Sequence, residues 1–148
     1  MLLISFFKML KAKKELAQRM EYEKLRVWQE AYALASEAYK AITPCKDYSL
    51  KDQIRRSAVS VPSNIAEGEE RETVKESVRF LYIAKGSCGE LYTQLLLARD
   101  FGYLDESTAS HLLTKATFVS KMIASLIKYR VGNVKEADAA YHVDNKII

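Results

Sequence analysis

The sequence predicts an all-α protein, an antiparallel up-and-down four-helix bundle with a proline-kinked second helix. Three observations predict it. Apolar residues recur every three and four positions through four long segments, the repeat of one helix face. Turn formers are scarce, 5 Gly and 2 Pro in 148 residues, too few for the many short strands of a β fold. The breaks between segments are short, and short connections between long helices make antiparallel neighbours. A chain of this length buries one core. Residues 21–131 therefore form the bundle, between a basic leader over residues 1–20 and a tail over residues 132–148.

Two apolar stripes run along the first bundle helix. Leu25, Trp28, Tyr32, Ala35, Tyr39 and Ile42 form the main one, expected to face the core with Trp28, Tyr32 and Tyr39 packed inside. Val27, Ala31, Leu34, Ala38 and Ala41 form the second. It needs cover from another subunit, which predicts a homo-oligomer. The helix should stop near Thr43-Pro44, because the residue before a proline avoids α geometry.

The second helix is expected to start at Ser49, with Asp52 completing its cap, and to run through Leu50, Ile54, Ser57, Ala58, Val61 and Ile65 to Gly68. Inside it, Pro62 removes one hydrogen bond and clashes with the preceding turn at a cost of about 3 kcal/mol. A kink between Ala58 and Pro62 follows. Ser60, Ser63 and Asn64 are structural on this reading, Asn64 bonding carbonyls that the kink frees.

Thr73 and Glu76 make the capping box of a third helix whose stripe is Val74, Val78, Leu81, Cys88, Leu91, Leu95 and Ala98, and Gly102 supplies a left-handed stop. Gly86 and Gly89 lie inside that helix at up to about 1 kcal/mol each relative to alanine. They point to close approach of a neighbouring backbone. Asp105 caps the fourth helix, lined by Ala109, Leu112, Ala116, Val119, Ile123 and Leu126 and ended by Gly132. The leader has no matching stripe; it either extends the first helix or precedes a start at Met20.

Charge is informative once divided along the chain. Lys8, Lys11, Lys13, Lys14 and Arg19 outnumber Glu15 by four, the whole of the formal excess of +4. The remainder is nearly neutral, which argues against a broad phosphate-binding surface. Two separated cysteines, Cys45 and Cys88, suggest neither a disulfide framework nor a thiolate metal site, so a reduced, cytoplasmic protein is expected. The apolar start MLLISFF is too short for a signal core or a membrane span. No membrane partner is expected.

Catalytic patterns are missing. There is no Glu-x-x-His for a di-metal bundle site, no GxxxxGK[ST], no GxSxG and no HExxH, each the local signature of a chemistry. His111 and His142 read as surface or boundary residues, Glu67, Glu69, Glu70 and Glu72 as solvated loop charges, and Cys88 as core. The expectation is no enzyme, no metal, no cofactor and no small-molecule substrate. What remains is a basic stripe. Lys51, Arg55 and Arg56 cluster on the second helix, and Arg71, Lys75 and Arg79 recur at spacing four along the start of the third. Such a row can meet nucleic-acid phosphates, or it is a solvated face paired to Glu72 and Glu76. Tyr48, Tyr92 and Tyr103 are less well explained by a core, and exposed tyrosines can stack on bases.

The segments LRVWQEAYALASEAYK, YSLKDQIRRSAVSVPSNIAEGEER and FLYIAKGSCGELYTQLLLARDFGYL resemble the four-helix-bundle proteins encoded by intervening sequences of bacterial 23S rRNA genes. The resemblance covers residues 22–130. Its most specific part is Gln53-Ile54-Arg55-Arg56 followed by Ser60-Val61-Pro62-Ser63-Asn64-Ile65-Ala66-Glu67-Gly68. It implies a homopentameric ring without enzymatic activity, associated with RNA or a ribonucleoprotein. The accessory protein of diversity-generating retroelements, a basic pentameric barrel that partners a reverse transcriptase, is more distantly similar. The nearly neutral body departs from it. The sequence thus predicts a non-enzymatic, homo-oligomeric RNA-associated bundle, with a protein-interaction scaffold or a reverse-transcriptase accessory subunit as the alternatives.

Overall fold

The computed structural model describes residues 1–17 and 19–144, with side chains to residue 133. Among these residues it is all-α, with five helices and no strand. The fifth arises because the leader neither extends the next helix nor stays irregular. Its Leu, Met, Lys, Ala and Glu are strong helix formers, and they build α1 (Leu2–Ala17). No residue of α1 is buried, and among the described residues α1 packs on no other helix.

A 3-10 turn, Glu21–Lys24, leads into α2 (Arg26–Ala41), followed by α3 (Tyr48–Glu69), α4 (Val74–Asp100) and α5 (Glu106–Asp144). Helix α2 packs on α3 and α5, and α4 packs on α3 and α5, a closed cycle of neighbours. The connections, residues 42–47, 70–73 and 101–105, are short enough to lay each helix beside the one before it. The interior is filled by Leu34, Ile54, Val61, Ile65, Leu81, Leu91, Leu95, Leu112, Val119 and Ile123, all fully buried.

Helix ends follow the capping groups, with two departures from expectation. Thr73 accepts from the Glu76 amide at 3.2 Å, Asp105 accepts from the Thr108 amide at 2.7 Å, and Gly102 takes φ +79° beyond α4. The cap of α3, however, is Asp47, whose Oδ1 accepts from the Leu50 amide at 3.0 Å. An aspartate caps as well as a serine, so Tyr48 and Ser49 join the helix, and Asp52 instead pairs with Arg56 at 2.9 Å. Helix α5 passes through Gly132, where an end is expected, because that glycine lacks the positive φ of a left-handed stop. His142 falls beyond the residues with described side chains.

The glycines also trade roles. A Cβ on Gly86 or Gly89 would meet nothing within 4 Å, so neither marks the close approach expected there. Gly68 does. Its Cβ would lie 3.0 Å from the Ser77 carbonyl oxygen and 3.3 Å from the Phe80 Cβ, so hydrogen at this position lets α3 close on the start of α4. Helix α3 runs on through Pro62. Asn64 Nδ2 donates to the Ser60 carbonyl at 2.8 Å and to its Oγ at 2.9 Å, and Ser60 Oγ meets Ser87 Oγ at 2.8 Å on α4. These side chains tie the proline turn down, but the carbonyl that Asn64 binds belongs to Ser60, not to Ala58, which loses its partner to the proline.

Candidate nucleic-acid interface

The two stripes of α2 exchange places. Val27, Ala31, Leu34 and Ala38 are buried and Ala41 is partly so; the stripe expected to need a second subunit is the one that meets α3 and α5. The main stripe is divided. Ala35 and Ile42 are buried, Leu25 and Trp28 partly so, while Tyr32 is 59% exposed and Tyr39 43%. Small residues permit close helix contact at the bundle interior, and a tyrosine hydroxyl at the surface keeps its water. Packing thus selects the alanine side and leaves the aromatics outside.

The result is an aromatic column along the α2–α3 groove. Ring centres of Tyr22 and Trp28 are 5.4 Å apart, those of Trp28 and Tyr32 5.0 Å, within the usual range for aromatic pairs. Their groove, about 460 Å³, continues past Tyr39 and Lys40 and is floored by Val59, Pro62, Ser63 and Ala66 of α3. Pro62 is buried here. Ser63 Oγ donates to the Val59 carbonyl at 2.7 Å, which leaves the floor mostly apolar.

The basic residues fall into two groups at different heights of the bundle. Arg55 stands at the end of the groove: its guanidinium is 4.1 Å from the Tyr39 ring centre, and Nη2 donates to Thr43 Oγ1 at 3.2 Å. Lys51 stands 4.7 Å from the Tyr48 ring centre and donates to the Thr43 carbonyl at 3.3 Å. Arg56 pairs with Asp52. At the other end of α3, Arg71 pairs with Glu67 and covers the Phe80 ring at 4.6 Å. Lys75 and Arg79 are exposed beside Tyr82 and Ile83 on α4. Four of the six candidates thus already hold partners within the chain, and the helix rise of about 1.5 Å per residue keeps Lys51 and Arg71 some 30 Å apart along α3. The aromatic column is what the sequence reading missed. Its signal was present: two apolar stripes on one helix, only one of which a bundle can bury.

Several other ionisable residues make contacts between helices. Glu69 is not a loop charge; Arg130 Nη2 reaches its two carboxylate oxygens at 2.5 and 2.7 Å, joining α3 to α5. Glu37 accepts from Lys115 at 3.1 Å and lies 3.0 Å from His111 Nε2. Burial pushes the Cys88 thiol up to about 11, so it stays protonated at neutral pH and donates to the Ala116 carbonyl at 3.2 Å. Among the described residues, no group of three or more His, Cys, Asp or Glu side chains could hold a metal ion, and no helix is long and apolar enough to cross a membrane.

A protein of unknown function from the S23 ribosomal protein family of Bacteroides thetaiotaomicron has a similar crystal structure. Its TM-score is 0.65 at 24% identity, over 69% of this chain and 98% of that one, which supports the helical fold. No curated protein matches. Residues 23–125 match the family model described as 23S rRNA-intervening sequence protein, a span reaching from the 3-10 turn through the greater part of α5 and covering well over half of the chain. The chain belongs to the 23S rRNA-intervening sequence protein family.

Proposed function

We propose that this protein is a non-enzymatic RNA-associated bundle, in which α2 to α5 form an antiparallel up-and-down four-helix scaffold bent at Pro62. One observation carries the reading: Tyr22, Trp28, Tyr32 and Tyr39 line one groove, Tyr32 and Tyr39 exposed in it and Tyr39 beneath the guanidinium of Arg55. Unpaired bases stack on such rings for about 1–3 kcal/mol each, while nearby cations hold the backbone. Lys40, Lys51 and Arg55 supply those cations at the groove. The partner is single-stranded or looped RNA, since side chains cannot read base edges in the deep, narrow major groove of an RNA duplex. The nearly neutral body makes the reverse-transcriptase accessory role the less favoured relative.

The outer face of α4 favours a second, compatible contact. Tyr82 is 58% exposed and Ile83 42%. Copies of the chain meet there in a homo-oligomer, a pentamer by family resemblance. The test is titration of labelled unpaired and duplex 23S rRNA fragments with purified protein. The unpaired fragments bind more tightly, binding weakens with salt, and Tyr32→Ala with Tyr39→Ala weakens it at least tenfold. Absence of binding at low salt refutes the RNA role; a monomer by light scattering at micromolar concentration refutes the oligomer.

A further inference from the structure

Helix α1 leaves its large apolar side chains in water. Leu3 is 71% exposed and Phe7 61%, with Leu2, Ile4, Phe6 and Leu10 exposed beside them, and among the described residues no helix covers them. At 100° per residue, Leu3, Phe6, Phe7, Leu10 and Ala17 share one side. Lys8 and Glu15 lie opposite, with Lys11 and Ile4 between them and Phe7. Lys13 and Lys14 fall within the apolar side in the last turns, where long stems let their ammonium groups rise clear of an apolar layer.

We infer that α1 lies on an anionic lipid bilayer and holds the bundle at its surface, with the apolar side in the acyl boundary and the lysines among the headgroups. Sixteen residues span only about 24 Å as a helix, short of the roughly 30 Å hydrocarbon core, so α1 lies along the surface and does not cross. Phe and Leu beside lysines whose stems reach past them is the composition of such helices. Charge selects this occupant over the other two. The α2–α3 groove of a second copy is apolar, but Lys40 lines it and Lys51 and Arg55 stand at its end, which repels a helix carrying four lysines. RNA would engage those lysines and leave Leu3, Phe6 and Phe7 in water. Only a bilayer with anionic headgroups covers the apolar side and neutralises the lysines together. This inference adds a location to the RNA role and does not depend on it, because α1 shares no contact with the groove.

Flotation of the full chain with vesicles tests it. Vesicles of phosphatidylcholine containing phosphatidylglycerol carry the protein upward, and pure phosphatidylcholine vesicles carry at least tenfold less. The double variant Phe6→Glu, Phe7→Glu loses flotation at least tenfold while its thermal unfolding and its titration with unpaired rRNA fragments stay unchanged, since both residues are exposed outside the bundle. Equal failure to float with both vesicle types overturns the inference. So does a variant that floats like the parent, or one whose oligomer mass or RNA affinity falls instead, which would assign α1 to a second copy or to RNA.

Discussion

The guanidinium of Arg55 stands over the Tyr39 ring, 4.1 Å from its centre, and fastens α3 to the last turn of α2. An arginine expected to meet phosphate and a tyrosine expected inside the core hold each other at the surface. Such a pair contributes about 0.5–1 kcal/mol at an exposed site. Arg55→Ala is therefore expected to lower both stability and affinity for unpaired RNA, whereas Arg79→Ala, exposed on α4 away from the groove, leaves both unchanged. Chemical denaturation and RNA titration of the two variants separate these effects.

Gly68 and Gly86 are expected to respond to alanine with opposite signs. At Gly68 the new methyl meets the Ser77 carbonyl oxygen at 3.0 Å, and forced overpacking of this kind costs about 1–3 kcal/mol. At Gly86 it meets nothing within 4 Å, so removing backbone entropy from an exposed helix position adds up to about 1 kcal/mol. Thermal unfolding of Gly68→Ala and Gly86→Ala shows a lower and a higher Tm than the parent. A Gly86→Ala chain with lower Tm, together with a smaller oligomer, would place a neighbouring copy against that face.

A buried polar contact joins the two central helices. Ser57 Oγ donates to Gln94 Oε1 at 2.6 Å, and Gln94 Nε2 donates to Glu90 at 3.1 Å. Removing one partner strands the other, at about 1–3 kcal/mol. Ser57→Ala should cost that much, and adding Gln94→Leu to it should recover part of the loss. A double-mutant cycle by urea unfolding measures the coupling, and additive losses would show that the hydrogen bond contributes nothing specific.

Glu37 gives the α2–α5 contact a pH dependence. Burial alone raises its carboxyl, but hydrogen bonds from His111 and Lys115 and the charges of both outweigh burial and hold it below its ordinary value of 4.5. A depressed folded-state value stabilises the fold above 4.5, and that contribution is lost as pH falls through the folded-state value. Half-exposed and screened, the cluster contributes no more than about 1 kcal/mol. The stability gap between the parent and Glu37→Gln, measured by urea unfolding, should be open at pH 6, close below pH 4 and narrow with added salt.

Much of the fold was legible in the sequence. The buried residues of α3 and α5, the cap at Thr73, the cap at Asp105 and the left-handed Gly102 all follow from periodicity and local hydrogen bonding, which involve residues a turn apart. The helix count and the α3 cap were less so: helix-forming residues build α1 without tertiary support, and Asp47 and Ser49 are competing caps two residues apart. The candidate site was the least legible. Lys51, Arg55 and Arg56 cluster in sequence and Arg71 begins a row with Lys75 and Arg79, yet the first four are each held by a partner on the surface of the folded chain, and which side of α2 becomes surface is set by α3 and α5.

Periodicity and capping chemistry determined by themselves that this chain is helical and where most of its helices lie, because both depend on residues within a turn of one another. Only the tertiary structure decided which α2 stripe is core, which glycine meets a neighbouring backbone, and that α1 stands apart. Those outcomes depend on the width of the space between helices: it accepts Ala31 and Ala38, has room for no Cβ at Gly68, and leaves Tyr32 and Tyr39 facing water.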